Sequence, residues 1–316
     1  MDAFSVTCLR YTVEALTPVQ FGSHAGAQLR GGLYHELSAM AHTRHEEQHD
    51  PRHLAICPVC RMMNRENPGA ARGRTVPRPF GVLPPLAADP QQPPRYATGE
   101  QFTFGLNLYG ETDANYQLLT LAVQRLGQTG VGFGRGQFLL HRIEQVQSLT
   151  GTVITLLDTG TTTSRLPESG VQPAAIRDYA ENLPADHLTL RFVTPTRLIE
   201  RGKLVHTPEF APLLARLLER LEALEAEYAN GERWVERYQT LTHQAASVEL
   251  HTDQTQWVEL RSGSRRQNRT LPLSGFVGEA TYTGDLAPFR EWLAWGSLVQ
   301  VGKNVVKGCG WYKIVR

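Results

Sequence analysis

The chain has 316 residues, enough for one large domain or two of ordinary size, and 41% are hydrophobic, enough for buried cores and too many for a disordered chain. Lysine plus arginine (32) nearly balance aspartate plus glutamate (31), so a polyanionic partner must be met by local patches and not by a global positive field. No apolar run reaches the roughly 18 residues of a membrane-spanning helix, and Met1 to Thr7 enters a strand pattern without a basic leader, so neither a membrane span nor a signal peptide is expected and the expected location is the cytoplasm.

Residues 4–16 alternate as a first strand, 22–26 read as a loop, and 27–44 as a helix with Leu29, Leu33, Leu37 and Met40 on one apolar face. The stretch at about 45–78 is rich in His, Arg, Gly and Pro, lacks apolar periodicity, and reads as a long insertion. An extended segment at 80–83, framed by Pro79, Pro84 and Pro85, precedes a strand at 102–108, a helix at 114–126, a glycine loop from Gly130 to Gly136 and a strand at 137–143. That order is βαββαβ, the ferredoxin-like unit. Residues 147–186 read as a weakly packed connection with a hairpin-like piece at 152–157. A second series follows: strand 187–193, amphipathic helix 208–228, strand-like pieces at 247–251, 257–261 and 274–282, helix 286–295, then a loop and a last strand. The expected fold is therefore α+β. It comprises tandem ferredoxin-like (RRM-like) domains at 1–146 and 187–316, with a Cys/His-containing loop inserted in the first and a connection at 147–186.

Each half ends in helix, glycine loop and strand, which suggests a duplicated architecture. In the second loop Gly302, Gly308 and Gly310 surround Lys303 and Lys307. Glycine permits positive φ and close backbone approach, so such a loop could seat a phosphate backbone. Gly130 to Gly136 follows a helix and precedes a strand, the reverse of a dinucleotide-binding turn. Gly302-Lys303 lacks the upstream glycine and the following Ser/Thr of a P-loop. Arg261, Arg265, Arg266 and Arg269 lie in a Gly/Ser-containing segment between strand patterns and suggest a basic hairpin able to reach RNA phosphates or a groove. Arg72, Arg74 and Arg78 form a second cluster; the alternative for both is a solvated charge run.

Several segments stand in order along the chain: Leu29-Arg30-Gly31-Gly32-Leu33-Tyr34-His35, Pro77-Arg78-Pro79-Phe80, Leu83-Pro84-Pro85, the loop at 130–136, and Gly275-Phe276-Val277-Gly278 leading to Val301-Gly302-Lys303 and Gly308-Cys309-Gly310-Trp311-Tyr312. Together they resemble the CRISPR repeat-processing endoribonucleases of the RAMP superfamily. The resemblance implies tandem ferredoxin-like domains, CRISPR precursor RNA as substrate, other CRISPR effector subunits as further partners, and metal-independent cleavage to 5′-hydroxyl and 2′,3′-cyclic phosphate ends. It also implies RNA contact by Arg30 and by the glycine loop. Two departures stand out. Many relatives carry a histidine just before the final Gly-Lys, where this chain has Leu298-Val299-Gln300-Val301; relatives with a cysteine-rich insertion often have four cysteines there, where this chain has two.

Cleavage by an internal 2′-hydroxyl needs a base, an acid and a cation near the phosphorane, but no metal. Histidine suits either proton role. His35 and His42 lie seven residues apart, on one face of the first helix and away from its leucines. Tyr34 and His45 share an adjacent face, and His24 lies in the preceding loop. His35, His42, Tyr34 and Lys303 are the catalytic candidates; the alternative for His35 is a solvated helix position, and for Tyr34 a packing role. His49, His53, Cys57 and Cys60 have the types and spacing of a structural N2S2 zinc site, against an exposed loop with two free thiols. No cofactor is required for catalysis. Two other functions stay open: a catalytically inactive RNA-binding subunit of an effector complex, and a zinc-dependent hydrolase.

Overall fold

The computed structural model describes residues 3–41, 50–64, 76–87, 92–110, 112–161, 163–229, 231, 234–264 and 269–315. The chain divides into two compact units, residues 7–146 with 153–168, and residues 1–6 and 147–152 with 169–316.

The N-terminal unit is built on β1 (Val6–Ala15), whose alternating burial continues from a wholly buried start. After the short β2 (Val19–Gln20) comes α1 (Ala25–Ala41), followed by α2 (Pro51–Ile56) and α3 (Pro58–Met63). Then come β3 (Phe80–Leu83), β4 (Arg95–Tyr96), β5 (Gln101–Tyr109), α4 (Asp113–Thr129), β6 (Phe138–Val146), β7 (Val153–Asp158) and β8 (Thr163–Ser164). The main sheet runs β3-β5-β1-β6-β7-β8. Its first four strands have the ferredoxin-like order, and β7 and β8 extend it.

Leu29, Leu33 and Leu37 are fully buried on α1, as their four-residue spacing requires. Gly32 lies where α4 crosses: a Cβ there would come within 2.5 Å of the Leu126 side chain, so a larger residue would require that leucine to move. Beside these leucines lies a polar residue that the apolar pattern does not reveal. Glu36 is 2% exposed and accepts hydrogen bonds from Thr129 Oγ1 at 2.8 Å and Arg125 Nε at 3.3 Å, tying α1 to α4.

The stretch expected to be a polar loop differs from that expectation. Within it, residues 51–63 form α2 and α3, each opened by a proline at its first position. Asp50 Oδ1 accepts from the Arg52 amide at 2.9 Å and caps α2. Val59, Cys60, Met62 and Met63 enter the core of the unit. Two six-residue helices are too short to show a periodicity, which is why the sequence pattern concealed them.

The C-terminal unit contains α5 (Pro173–Glu181), β9 (His187–Thr196), the ribbon of β10 (Leu198–Glu200) and β11 (Lys203–Val205), α6 (Phe210–Tyr228) and α7 (Val235–Gln244). It continues with β12 (Glu249–Val258), β13 (Arg261–Ser264), β14 (Arg269–Pro272), β15 (Gly275–Thr283), α8 (Arg290–Val299) and β16 (Tyr312–Val315). Its sheet, β12-β15-β9-β16, is antiparallel throughout and repeats the ferredoxin-like order. Six leucines of α6, from Leu213 to Leu224, join Trp292, Leu293, Trp295 and Leu298 of α8 in its core. Phe192, Phe276 and Tyr312 pack edge to face with centroids 4.8 and 6.0 Å apart. The buried phenols stay satisfied, Tyr282 donating to Pro208 O and Tyr312 to Leu293 O, each at 2.7 Å.

The segment 147–186 is more than a connection. It gives β7 and β8 to the first sheet, and α5 packs in the second unit, where Arg290 Nη1 donates to Leu183 O at 2.7 Å. The two strand-like pieces at 247–251 and 257–261 are largely one strand, β12, because pairing with β15 continues across the polar Asp253-Gln254-Thr255 between them.

Replacing Glu36 by alanine leaves the Thr129 hydroxyl and Arg125 without their acceptor and is expected to cost about 1–3 kcal/mol in urea denaturation. A loss below about 0.5 kcal/mol, typical of a surface site, would refute the pinning role.

Candidate active site and nucleic-acid interface

In the N-terminal unit, His35 is exposed on α1, on the face opposite the leucines. Gly31 lies one turn before it, and a Cβ at Gly31 would meet no atom within 4 Å. The surface around the imidazole is therefore open along the helix. Arg30 and Tyr34, also one turn apart, are joined instead: the guanidinium carbon is 5.1 Å from the ring centroid, and Tyr34 is half-buried against the core. Tyr34 thus packs, and Arg30 is held over it. His24 lies just before the helix and is only 8% exposed, with its carbonyl accepting the Ala27 amide at 3.2 Å, so it is part of the helix start and not of an open surface. His42, His45 and His49 lie outside the described residues.

The first glycine loop adds a residue that the sequence reading passed over. Phe133, flanked by Gly132 and Gly134, is 65% exposed, and its amide donates to Gln20 O at 2.7 Å. An exposed ring held by its backbone offers a surface on which an RNA base can stack. The cue in the sequence was a lone large apolar residue among glycines.

In the C-terminal unit the loop from Gln300 to Gly310 is strongly constrained. Lys303 is exposed and Lys307 half-buried. The Lys303 amide donates to Arg197 O at 3.0 Å, Gly310 N to Pro195 O at 3.0 Å, and Val301 N to Gly310 O at 2.9 Å. The amides of Lys307, Gly308 and Cys309 bond carbonyls within the loop. Gly302 (φ 86°) and Gly310 (φ 74°) occupy the left-handed region, and a Cβ would meet Arg197 O at the first and Val301 O at the second. The glycines thus let the loop close on the end of β9. What the loop presents to a phosphate is chiefly lysine charge, since these amides already have acceptors.

Gln300 is the second residue that sequence reasoning missed. It is fully buried with φ 64°, and its Nε2 donates to Cys309 O at 3.0 Å. It braces the two ends of the loop. Burial pushes the Cys309 thiol up to about 12 against the opposing pull of Lys307 and Arg197, so this cysteine is no thiolate nucleophile at neutral pH. Trp311 lies beneath Lys313, whose Nζ is 5.2 Å from the ring centroid.

The basic hairpin exists as β13 paired with β14, from Arg261 opposite Pro272 to Ser264 opposite Arg269. Arg261 is exposed; Arg265, Arg266 and the Arg269 side chain lie outside the described residues, as do Arg72 and Arg74 of the second cluster, whereas Arg78 is half-buried. At the base of the ribbon, hydrogen bonds from Ser274 and from Trp257 hold the Glu259 carboxyl below its ordinary range, and the charges of Arg261 and Arg197 act in the same direction.

Of the expected zinc ligands, His53, Cys57 and Cys60 lie together, with donor atoms all within 4.8 Å of one another. Both cysteines are buried and His53 is half-buried. Cys57 ends α2 and caps α3, where its sulfur accepts the Cys60 amide at 3.5 Å.

Residues 190–312 match the family model of the CRISPR-associated endoribonuclease Cas6, and residues 4–169 match a family model described as an N-terminal domain. The Cas6 match thus lies in the C-terminal unit. A Cas6 match over this unit supports a role in CRISPR RNA processing. No curated protein matches the chain in sequence. Among solved structures it is similar to Thermus thermophilus Cas6, with 14% identity, a TM-score of 0.56 and coverage of 99% of both chains. A Cas6 product complex gives 18% identity and a TM-score of 0.52, covering 98% of this chain and 99% of that one. A RAMP protein binding different RNA substrates gives 10% and 0.50, covering 98% of this chain and all of the other. At these identities the likeness is one of fold, and it agrees with the tandem ferredoxin-like order of the two sheets. No described helix is long and apolar enough to cross a membrane.

Alanine at Gly310 places a side chain in the left-handed region and against Val301 O. Chemical denaturation is expected to show a loss of about 1–3 kcal/mol or more, while the same change at the open, helical Gly31 leaves stability equal or higher.

Proposed function

We propose that the protein cleaves CRISPR precursor RNA within its repeats, without a catalytic metal, by attack of a ribose 2′-hydroxyl on the adjacent phosphorus. The 2′-oxygen loses its proton and bonds phosphorus, and the bond to the 5′-oxygen breaks. That oxygen takes a proton, leaving a 5′-hydroxyl and a 2′,3′-cyclic phosphate. His35 is the proton-transfer residue, because an imidazole can serve at either oxygen. Lys303, Lys307 and Arg261 contact RNA phosphates, Arg30, held over Tyr34 on the same helix as His35, is a further cation, and Phe133 offers stacking. The observation that carries this reading is the exposed His35 with the open Gly31 one turn before it, in a chain whose residues 190–312 match an endoribonuclease family model. The reaction class itself supports metal independence, since its nucleophile is part of the substrate.

The protein incubated with repeat RNA in EDTA is expected to yield cyclic-phosphate ends. Tightly bound but intact RNA would make it a silent RNA-binding subunit, and turnover abolished by EDTA while the fold persists would favour a metal-dependent hydrolase. His35→Ala is expected to slow single-turnover cleavage by about 10²–10⁴-fold with RNA affinity unchanged. Parallel loss of both would assign His35 to binding instead. Gly31→Leu fills the open position beside the imidazole and should lower cleavage without lowering the melting temperature.

Replacing Lys303 and Lys307 by alanine should weaken binding and reduce the salt slope by about 0.7 per lysine, as for single-stranded contacts. A slope unchanged in filter binding across salt would remove both from the phosphate path.

A further inference from the structure

His53, Cys57 and Cys60 serve no step of RNA cleavage, yet they converge. They come from both arms of one corner: His53 is on α2, Cys57 is the joint that ends α2 and caps α3, and Cys60 is on α3. All three donor atoms fall within 4.8 Å of one another. In a zinc tetrahedron, metal–sulfur bonds of about 2.3 Å and metal–nitrogen bonds of about 2.1 Å set the donors about 3.5–3.8 Å apart. A contraction of about 1.3 Å at most completes the arrangement, within reach of rotamer adjustment on two short helices. Cys57 and Cys60 are 7% and 0% exposed, so thiolates here need a cation for company.

We propose that this corner binds one zinc-class divalent ion through His53 Nδ1 or Nε2 and the sulfurs of Cys57 and Cys60, and that the ion fastens α2 to α3. Binding releases the two thiol protons to solvent, and the remaining position of the tetrahedron is taken by water or by a fourth donor. The physical case rests on what such an ion would do here. A six-residue helix is far below the roughly 12–15 residues that make an isolated helix even marginal in water. Helix α3 buries Val59, Met62 and Met63, and α2 adds only the partly buried Leu54 against the same core. A metal spanning the joint fixes the other coordinate, the angle between the helices, much as a short cross-link would. Two soft sulfurs and an imidazole select zinc over magnesium or calcium, which take oxygen donors. The competing chemistry for a Cys-x-x-Cys pair is a disulfide, and a histidine in the same cluster favours a metal.

The inference is independent of the role given to His35. The test uses the intact chain, purified under reducing conditions, freed of metal, and titrated with zinc alone against a chelating dye. One zinc per chain is expected, with affinity falling at least 100-fold in Cys60→Ser and in His53→Gln. Cobalt in place of zinc should give a thiolate-to-cobalt charge-transfer band and tetrahedral visible absorption. The wild-type cobalt spectrum decides the matter even where a variant fails to fold, because a band-free spectrum overturns the proposal without any substitution. Equal zinc affinity in folded wild type and a folded Cys57→Ser/Cys60→Ser variant also overturns it, as does isolation of the pair as a disulfide that takes up no zinc once reduced. Zinc at 100 times its dissociation constant should stabilise the wild-type fold by a factor of about 100 in the folding equilibrium, and Cys60→Ser should lose that response.

Discussion

The position of His35 depends on the burial of three leucines. Leu29, Leu33 and Leu37 can leave water only on the sheet side of α1, and in a helix that choice fixes the direction of every other side chain. Gly32 lets α1 come close to Leu126, and Glu36, next in sequence to His35, locks the rotation through Thr129 and Arg125. The imidazole is thereby held on the solvent side by a rigid element. A reactive group on such an element is aimed more reliably than one on a loop, because its direction follows from packing.

In the C-terminal unit the controlling constraint is backbone satisfaction. The loop after α8 has to return the chain to β16 beside β9, and its amides do so by bonding Arg197 O, Pro195 O and carbonyls within the loop. Left-handed conformations at Gly302, Asn304, Gly308 and Gly310 are the geometric consequence. The buried Gln300 closes the same bend from inside. Lysines on so constrained a loop keep their spacing, so binding a polyanion there, as proposed, would cost little loop entropy.

Much of the fold was legible. The period of α1, the leucines of α6 and the helix-loop-strand endings gave tandem βαββαβ units, and both sheets have that order. Three features were hidden for identifiable reasons. Helices α2 and α3 are too short for a period. Strand β12 crosses polar residues that read as a gap, because an edge strand with one wet face carries a weak apolar signal. The role of 147–186 depends on partners far away in sequence: β7 is a strand because β6 lies beside it. At the candidate site, His35, Lys303 and the convergence of His53 with Cys57 and Cys60 were legible from residue type and spacing. Glu36, Gln300 and Phe133 were not, since a glutamate, a glutamine and a phenylalanine announce nothing until their burial is known.

The sequence by itself determined residue chemistry and local period: which helix face is apolar, which loop carries glycine and lysine, which residues can take a proton or a metal. Only the tertiary structure decided exposure and company. Burial on folding is a property of distant pairs, and so it alone could turn Tyr34 inward beneath Arg30, set Phe133 in solvent, and bury the carboxylate of Glu36 one residue from an imidazole in water.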